Sequence, residues 1–358
     1  MDSVGLGARV ALVPMAAPAD AAEVEAAARH AIEELGGLSW LKRGNRVLLK
    51  VTSNSPNPYP ATTRPELVTA VARLLRAEGA ARVIMADHPG VQFVHHGRDR
   101  QRGSTRATFK KNGLERAALE GGAEIAGFEE PGYDGFFAGE SRHAQHWTGP
   151  LMLPNLIREV DHIVYLPRVS AHVLGGATLA LKAAVGWLRE DSRRELHQQA
   201  DTFLWKCAEI ASAREIADRI RLVISDASRA ITTYGPDFGY SASIDPPLLI
   251  ASTNLAMHDV AAHGVLSYAR NTLTPAWARA IDSYPANASW MNKFFVSMIW
   301  GVPAGARSSG FRAPKRGRAI DNTIIRRGLE IWSPGAVEPH LFWAGEVPGP
   351  LRAAVASA

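Results

Sequence analysis

Short apolar runs alternate with longer amphipathic segments along most of the chain. The apolar runs predict buried strands at Arg9–Pro14, Arg46–Thr52, Arg82–Ala86, Ala123–Gly127, His162–Leu166, Arg221–Ser225 and Leu248–Ser252. The segments with a helical period are Ala21–Leu35, Thr63–Leu75, Leu114–Leu119, Thr178–Leu188, Leu196–Ile220 and His258–Leu266. This alternation is typical of strand–helix–strand units. The sequence therefore predicts an α/β fold with a mostly parallel sheet and helices on both faces.

Two of the helices begin with recognisable capping signals. Thr63 can cap its helix, Pro65 fits the first turn, and Glu66 completes a capping box. Thr178 is expected to be the N-cap of the helix that contains Lys182.

The pattern of elements is clearest in the first part of the chain. We expect a main α/β domain over residues 1–245 and a smaller C-terminal α/β portion over residues 246–358, packed against it. One integrated domain is the alternative. An aromatic-rich stretch, Trp290–Trp300, and a basic stretch, Arg307–Arg327, are not assigned to a domain of their own.

Composition narrows the class of protein. The chain has 358 residues, of which 46% are hydrophobic and 21% charged, and no run of apolar residues is long enough to span a membrane. The N-terminus lacks the basic region of a signal peptide, so a cytoplasmic location is expected. The single cysteine, Cys207, excludes a disulfide framework, a four-cysteine zinc site and a cysteine-ligated iron–sulfur cluster.

Charge and motifs together favour a small anionic partner. The net charge of +5 is mild and fits anionic small molecules as well as nucleic acid. No nucleic-acid reader motif is present, so we expect no nucleic-acid partner. The oligomeric state stays open.

Ligands of parallel sheets lie at the carboxyl ends of the strands. The loops expected at that edge are rich in Pro, Gly, His or charge, and they are Ser53–Thr62, Asp87–Thr105, Arg168–Ala177 and Asp226–Asp237. The active site is therefore predicted at this edge.

Lys182 is the first candidate for chemistry. It stands between apolar neighbours in a predicted helix, where lysine is uncommon unless its amine has a role. His172 before the helix and His197 after it can both turn back towards this lysine. The alternative is a surface-seeking lysine with two incidental histidines.

Further candidates stand at strand ends and helix starts. Arg64, at the start of a helix, is well placed to bind a carboxylate through paired donors. His88 follows a strand and suits proton transfer. The basic segment His95–Asn112, with Arg98, is either an anion clamp or mobile lid, or a solvated loop.

Four ordered motifs resemble the domain-of-unknown-function family 362. The motifs begin at Lys50 with N-S-P-N and A-T-T-R-P-E-L-V, and continue with L-P-R-V-S-A-H-V-L-G-G-A-T-L-A-L-K, L-V-I-S-D-A-S and I-A-S-T-N-L-A-M-H-D. The likeness covers about Arg46–Leu266.

A more distant resemblance is to the nickel-pincer lactate racemase family. It is carried by Thr63-Arg64-Pro65, His88, His172 with Gly175-Gly176, Lys182 and His197. The resemblance implies that Arg64 holds a substrate carboxylate and that His88 and His172 exchange protons. It also implies that Lys182 can carry the pincer nucleotide, with His197 as nickel ligand. Ala183 stands where members of family 362 usually have an asparagine after the lysine. No counterpart of the racemase's second-domain lysine is found.

These observations lead to a functional hypothesis. We expect an enzyme that acts on a small carboxylate by histidine-mediated proton or hydride transfer, like a racemase, an epimerase or a related isomerase or lyase. The alternatives are a non-enzymatic anion- or nucleotide-binding protein and a cofactor-free lyase or hydrolase. The candidate residues are His88, His172 and Lys182 for catalysis, Arg64, Asn54, Thr63, Arg98 and Thr178 for substrate binding, and His197 for a metal. The cofactor stays open, with a free functional Lys182 favoured over a nickel-pincer nucleotide.

Overall fold

The computed structural model describes residues 9–283, 294, 296–301, 317–336 and 338–358. Its central sheet contains β1 (Arg9–Pro14), β2 (Arg46–Val51), β3 (Arg82–Asp87), β4 (Glu124–Gly127), β5 (His162–Leu166), β6 (Ile220–Asp226), β7 (Leu248–Ser252) and β8 (His340–Trp343). Their order across the sheet is β8-β1-β7-β6-β5-β2-β3-β4. Within these described ranges every strand of the sheet runs in one direction except β7, which is antiparallel to β1 and β6. The predicted mostly parallel sheet is confirmed.

Helices pack on both faces of this sheet because successive residues of a strand point to opposite sides. Val47 and Leu49 of β2 belong to one apolar cluster, whereas Leu48 belongs to the cluster on the opposite face, with Trp187. The helices are α1 (Ala21–Glu34), α2 (Pro65–Ala77), α3 (Thr105–Asn112), α4 (Leu114–Glu120), α5 (Ala180–Ala183), α6 (Glu190–Gln198), α7 (Phe203–Glu209), α8 (Arg214–Ala217), α9 (Leu255–Tyr268), α10 (Ala276–Ser283), α11 (Thr323–Trp332) and α12 (Gly349–Ala356). The α/β fold predicted from the sequence is confirmed.

Smaller elements connect the main ones. A four-stranded sheet contains Gly176–Thr178, Ser170–His172, Arg229–Ile231 and Ser241–Ser243, and two short hairpins pair His95–His96 with Gln101–Arg102 and Phe136–Gly139 with Leu151–Pro154. Single turns of 3-10 helix lie at Asn155–Glu159, Ala184–Trp187, Ile210–Ser212 and Ala319–Asp321, and a π-helical turn lies at Ala269–Leu273.

The capping predictions for Thr63 and Thr178 are wrong. Arg64 is the N-cap residue of α2, and the Thr63 hydroxyl instead donates to the backbone oxygen of Leu166. Thr178 ends a short strand, and α5 begins two residues later. A tertiary contact thus uses the hydroxyl of Thr63, and the start of α5 is capped by Asp259 from another helix.

Helix α5 is short, but it is held at both ends. The carboxylate of Asp259 accepts hydrogen bonds from the backbone N–H groups of Ala180 (2.8 Å) and Leu181 (2.9 Å). At the other end, buried Lys50 donates to the backbone oxygen of Ala183 (3.3 Å) and pairs with Asp87 (2.6 Å). These contacts fix the position of Lys182 relative to the sheet.

Residues on either side of position 245 share the central sheet, because β7 lies between β1 and β6. The division into two domains at this position stays a prediction. Most of Trp290–Trp300 and much of Arg307–Arg327 lie outside the described residues. In the part of the chain that is described, every helix is too short or too polar to cross a lipid bilayer.

Candidate functional site

A cavity of about 330 Å³ lies at the carboxyl edge of the sheet. Its walls include loop residues that follow β2, β3, β5 and β6, together with residues of α5, α6 and the helical segment 296–300. The lining residues with polar or charged side chains are Asn54, Gln92, His172, Lys182, Arg193, His197, Tyr234 and Asp237, and Trp300 lies beside them. Phe238 also lines the cavity and is 75% exposed, so the cavity reaches the surface there.

The imidazole of His172 is held as a neutral hydrogen-bond donor. Its Nδ1 accepts hydrogen bonds from the backbone N–H groups of Leu174 (3.0 Å) and Gly175 (3.1 Å). A nitrogen that accepts carries no proton, so the proton of the ring is on Nε2. The ring with this Nε2–H belongs to a residue that lines the cavity.

The imidazole of His197 has the opposite tautomer. Its Nδ1 lies 2.7 Å from the backbone oxygen of Arg193, which can only accept, so Nδ1 carries the proton and Nε2 has the lone pair. Burial lowers the pKa of His197 to about 3, helped by the charges of Lys182 and Arg193. Trp300 stacks on the ring with the centroids 4.5 Å apart.

Lys182 brings to the cavity an amine whose pKa is lowered. Burial lowers its pKa to about 8, and the positive charges of Arg168 and Arg193 act in the same direction. Within the described residues its Nζ has no hydrogen bond or ion pair. Its side chain passes close to Gly175. If residue 175 had a side chain, its Cβ atom would lie only 2.8 Å from the Lys182 Cδ. The glycine therefore makes room for the lysine.

Arg193 adds a buried positive charge. Its guanidinium donates to the backbone oxygens of Leu188 (3.0 Å), Pro89 (2.5 Å) and His88 (2.8 Å). Burial lowers its pKa to about 10, so it stays charged at neutral pH. No carboxylate among the described residues forms an ion pair with it, which leaves its charge available to an anion in the cavity.

The loop after β6 brings one carboxylate to the cavity. Asp237 accepts a hydrogen bond from Asn54 Nδ2 (2.6 Å) and lies 3.9 Å from Arg168. Tyr234, in this loop, has a φ of 50°, a left-handed conformation that is strained for a residue other than glycine. At Gly235, a Cβ would lie 1.7 Å from the backbone oxygen of Ala171, so only glycine fits there.

Arg64, a candidate for binding the substrate carboxylate, does not line the cavity. Its guanidinium donates to Asp226 (2.8 Å), Ser228 (3.1 Å), Glu66 (3.2 Å) and the backbone oxygen of Ala19 (2.5 Å). The side chains of Arg64 and Asp226 are 10% and 1% exposed. These contacts make Arg64 part of a buried ion pair.

The Arg64→Ala variant is therefore expected to lose about 3–5 kcal/mol of unfolding free energy, because the buried Asp226 carboxylate is left unpaired. Arg82→Ala is the matched control, since Arg82 and Glu124 are about half exposed and such a pair contributes about 0–1 kcal/mol. Urea denaturation followed by circular dichroism measures both. Equal losses in the two variants would contradict a structural role for Arg64.

Four other predicted residues also lie away from the lining. The hydroxyl of Thr63 is used by Leu166, and Thr178 is buried in a short strand. Arg98 is exposed over the ring of Tyr133, 5.1 Å from its centroid. The buried ring of His88 packs near the ring of His96, with the centroids 6.2 Å apart. Burial lowers the pKa of His88 well below its usual value. Of the predicted residues, His172, Lys182, His197 and Asn54 line the cavity.

Protein side chains alone form no metal site in the described part of the chain. Among the described residues no group of three His, Cys, Asp or Glu side chains could hold an ion. A cofactor held covalently by Lys182 would need fewer protein ligands for its metal. His197 fits that role, because a backbone oxygen holds its Nδ1–H and leaves Nε2 as the donor atom.

Sequence reasoning missed Arg193 and Asp237. Arg193 stands four residues before His197 in α6, a spacing that places both on one helix face. This spacing was overlooked because the neighbouring residues are also charged, a pattern that is typical of a solvent-exposed helix. Asp237 ends the predicted loop Asp226–Asp237 but carried no separate signal.

Comparison with known proteins defines the family and no specific activity. No curated protein matches the sequence. The solved structure of the lactate racemase apoprotein from Thermoanaerobacterium thermosaccharolyticum is similar with a TM-score of 0.41 and 14% identity, over 64% of this chain and 53% of that chain. The chain thus spans about half of that structure, and so distant a likeness carries no argument about chemistry. The model of the domain of unknown function DUF362 matches residues 47–263, which is more than half of the sequence. The chain therefore belongs to the DUF362 family.

Proposed function

We propose that this protein is an enzyme that binds a small carboxylate in the cavity and moves a proton at the carbon atom next to the carboxylate. Racemases, epimerases, related isomerases and some lyases share this step. The observation that carries the proposal is that Lys182, with its lowered pKa, and the N–H donor of His172 line the same cationic cavity.

Lys182 is the proposed base. A base works best when its pKa lies near the working pH, because enough of it is then neutral while it still binds a proton well. With a pKa of about 8, roughly a tenth of Lys182 is neutral at pH 7. His197, with a pKa of about 3, is a much weaker base before substrate binds.

The other lining residues have complementary roles. Arg193 holds the carboxylate by charge, and the Nε2–H of His172 donates to the substrate oxygen that gains charge as the proton leaves. A neutral imidazole can act in this way without giving up its proton, as in triosephosphate isomerase. The Nε2 of His197 accepts a hydrogen bond from a substrate hydroxyl or amine.

The residues are also compatible with a nickel-pincer nucleotide. Lys182 would hold this group covalently and His197 would bind its metal, and the group would supply hydride acceptance. The roles of Arg193 and His172 in holding the anion and its oxygen are the same in either case.

Solvent exchange tests the proposal without knowledge of the natural substrate. Carboxylic acids with different groups on the neighbouring carbon are incubated with the protein in D₂O and followed by proton NMR. We expect the signal of the hydrogen next to the carboxylate to disappear for at least one acid, faster than with heat-denatured protein. Tight binding of a carboxylate with no exchange, elimination or racemisation in any acid would instead favour an anion-binding protein.

A further inference from the structure

The cavity combines one cationic region with a large apolar wall. The apolar lining residues are Val91, Val173, Leu174, Val185, Pro236, Phe238, Val296, Ile299 and Trp300. Among the charged lining residues, Lys182 and Arg193 are positive and Asp237 is negative. The negative charge is already near Arg168 and bonded to Asn54, whereas Lys182 and Arg193 form no ion pair with any described residue.

The cavity is larger than the volume of a very small carboxylic acid. Cavities of roughly 300–1,000 Å³ hold drug-sized ligands, and a water molecule takes up about 30 Å³ in the liquid. An acid the size of acetate would leave much of the 330 Å³ filled with water against apolar side chains. Such water lacks polar partners on that side, so replacing it with apolar groups of a ligand is favourable.

We propose that the ligand is an amphiphilic carboxylate whose apolar body, of several carbon atoms, lies against Val296, Ile299 and Trp300. The carboxylate lies at Arg193, and the carbon atom next to it faces Lys182. Trp300 stacks on His197, so the apolar wall begins directly beside the polar groups of the site. This inference rests on the proposed function for the position of the carboxylate, and it adds the class of substrate.

Calorimetric titration with three compounds tests the inference. The probes are acetate, 3-phenylpropionate and 3-phenylpropanol, which is the neutral counterpart of the second. Each buried methylene group is expected to tighten binding about fourfold. We therefore expect 3-phenylpropionate to bind at least tenfold more tightly than acetate. It should also bind at least tenfold more tightly than the alcohol, which lacks the charge.

Two neighbouring residues supply a matched pair of variants. Ile299 lines the cavity, whereas Met298 does not line it and is 61% exposed. Ile299→Ala is expected to weaken 3-phenylpropionate binding about tenfold and to leave acetate binding unchanged, and Met298→Ala should change neither. Thermal unfolding of each variant checks that the fold persists.

The outcomes separate this inference from the proposed function. Equal affinity for acetate and 3-phenylpropionate, equal affinity for the acid and the alcohol, or equal effects of the two variants would each overturn the inference. If the amphiphilic acid binds as expected but no acid undergoes proton exchange, the ligand class stands and the enzymatic proposal fails.

Discussion

Replacement of Lys182 by methionine is expected to lower the rate of proton exchange at the substrate carbon about 10²–10⁴-fold, the usual contribution of a positioned base. Methionine has a similar length and shape, and among the described residues Lys182 Nζ has no hydrogen bond to lose. The fold should therefore persist. Lys110→Met, at an exposed position on α3, is the control and should keep the wild-type rate.

The pH dependence gives a second readout of the same residue. The active form of Lys182 is the neutral amine, and its pKa is lowered to about 8. The kcat/KM of the wild-type protein should therefore fall about tenfold per unit as pH decreases below 8, and should level off above it. A rate that is independent of pH between 6 and 9, or a Lys182→Met variant with wild-type activity, would remove Lys182 from the reaction.

The covalent state of Lys182 is checked on the same samples. Mass spectrometry of the Lys182 peptide, with metal analysis, is performed on protein from its native host or from cells that make the pincer nucleotide. We expect an unmodified lysine and no stoichiometric nickel. Added mass on this peptide together with one nickel per chain would show instead that Lys182 and His197 hold the cofactor.

Replacement of His172 by alanine is expected to lower kcat about 10²–10³-fold with a smaller change in KM, because an oxyanion donor acts mainly in the transition state. His172→Gln is the informative partner. Its amide NH₂ is as many bonds from Cβ as the histidine Nε2, so it can still donate into the cavity. We expect the glutamine variant to recover part of the lost rate.

Measurements of stability and of rate together decide the role of His172. If the alanine variant unfolds more easily but keeps the wild-type kcat, the imidazole only supports the turn at Leu174 and Gly175. If glutamine and alanine give equal rates, donation from this position has no part in the reaction.

Local patterns predicted much of the fold and part of the site. The strands are short apolar runs, and their ends follow from the sequence because Gly, Pro and charged residues follow them. Lys182 and His172 could be found because a lysine among apolar residues and a histidine beside two glycines are unusual in themselves. Their position at the carboxyl edge follows from the parallel order of the strands.

Long-range contacts explain the failures. The sequence cannot reveal that Asp226, far along the chain, takes the guanidinium of Arg64. The end of β3 could be predicted, but not that the His88 ring turns towards His96 while its backbone oxygen binds Arg193. Asp259 was not recognised as the cap of α5 because the capping carboxylate comes from α9.

The position of β1 in the sheet has a consequence for synthesis of the chain. β1 is made well before both of its neighbours, β7 and β8, which belong to the last third of the sequence. While the chain leaves the ribosome, this apolar strand has unpaired edges on both sides, which is the condition under which strands associate with other chains. Until β7 and β8 have been made, β1 therefore cannot pair with its neighbours in the central sheet.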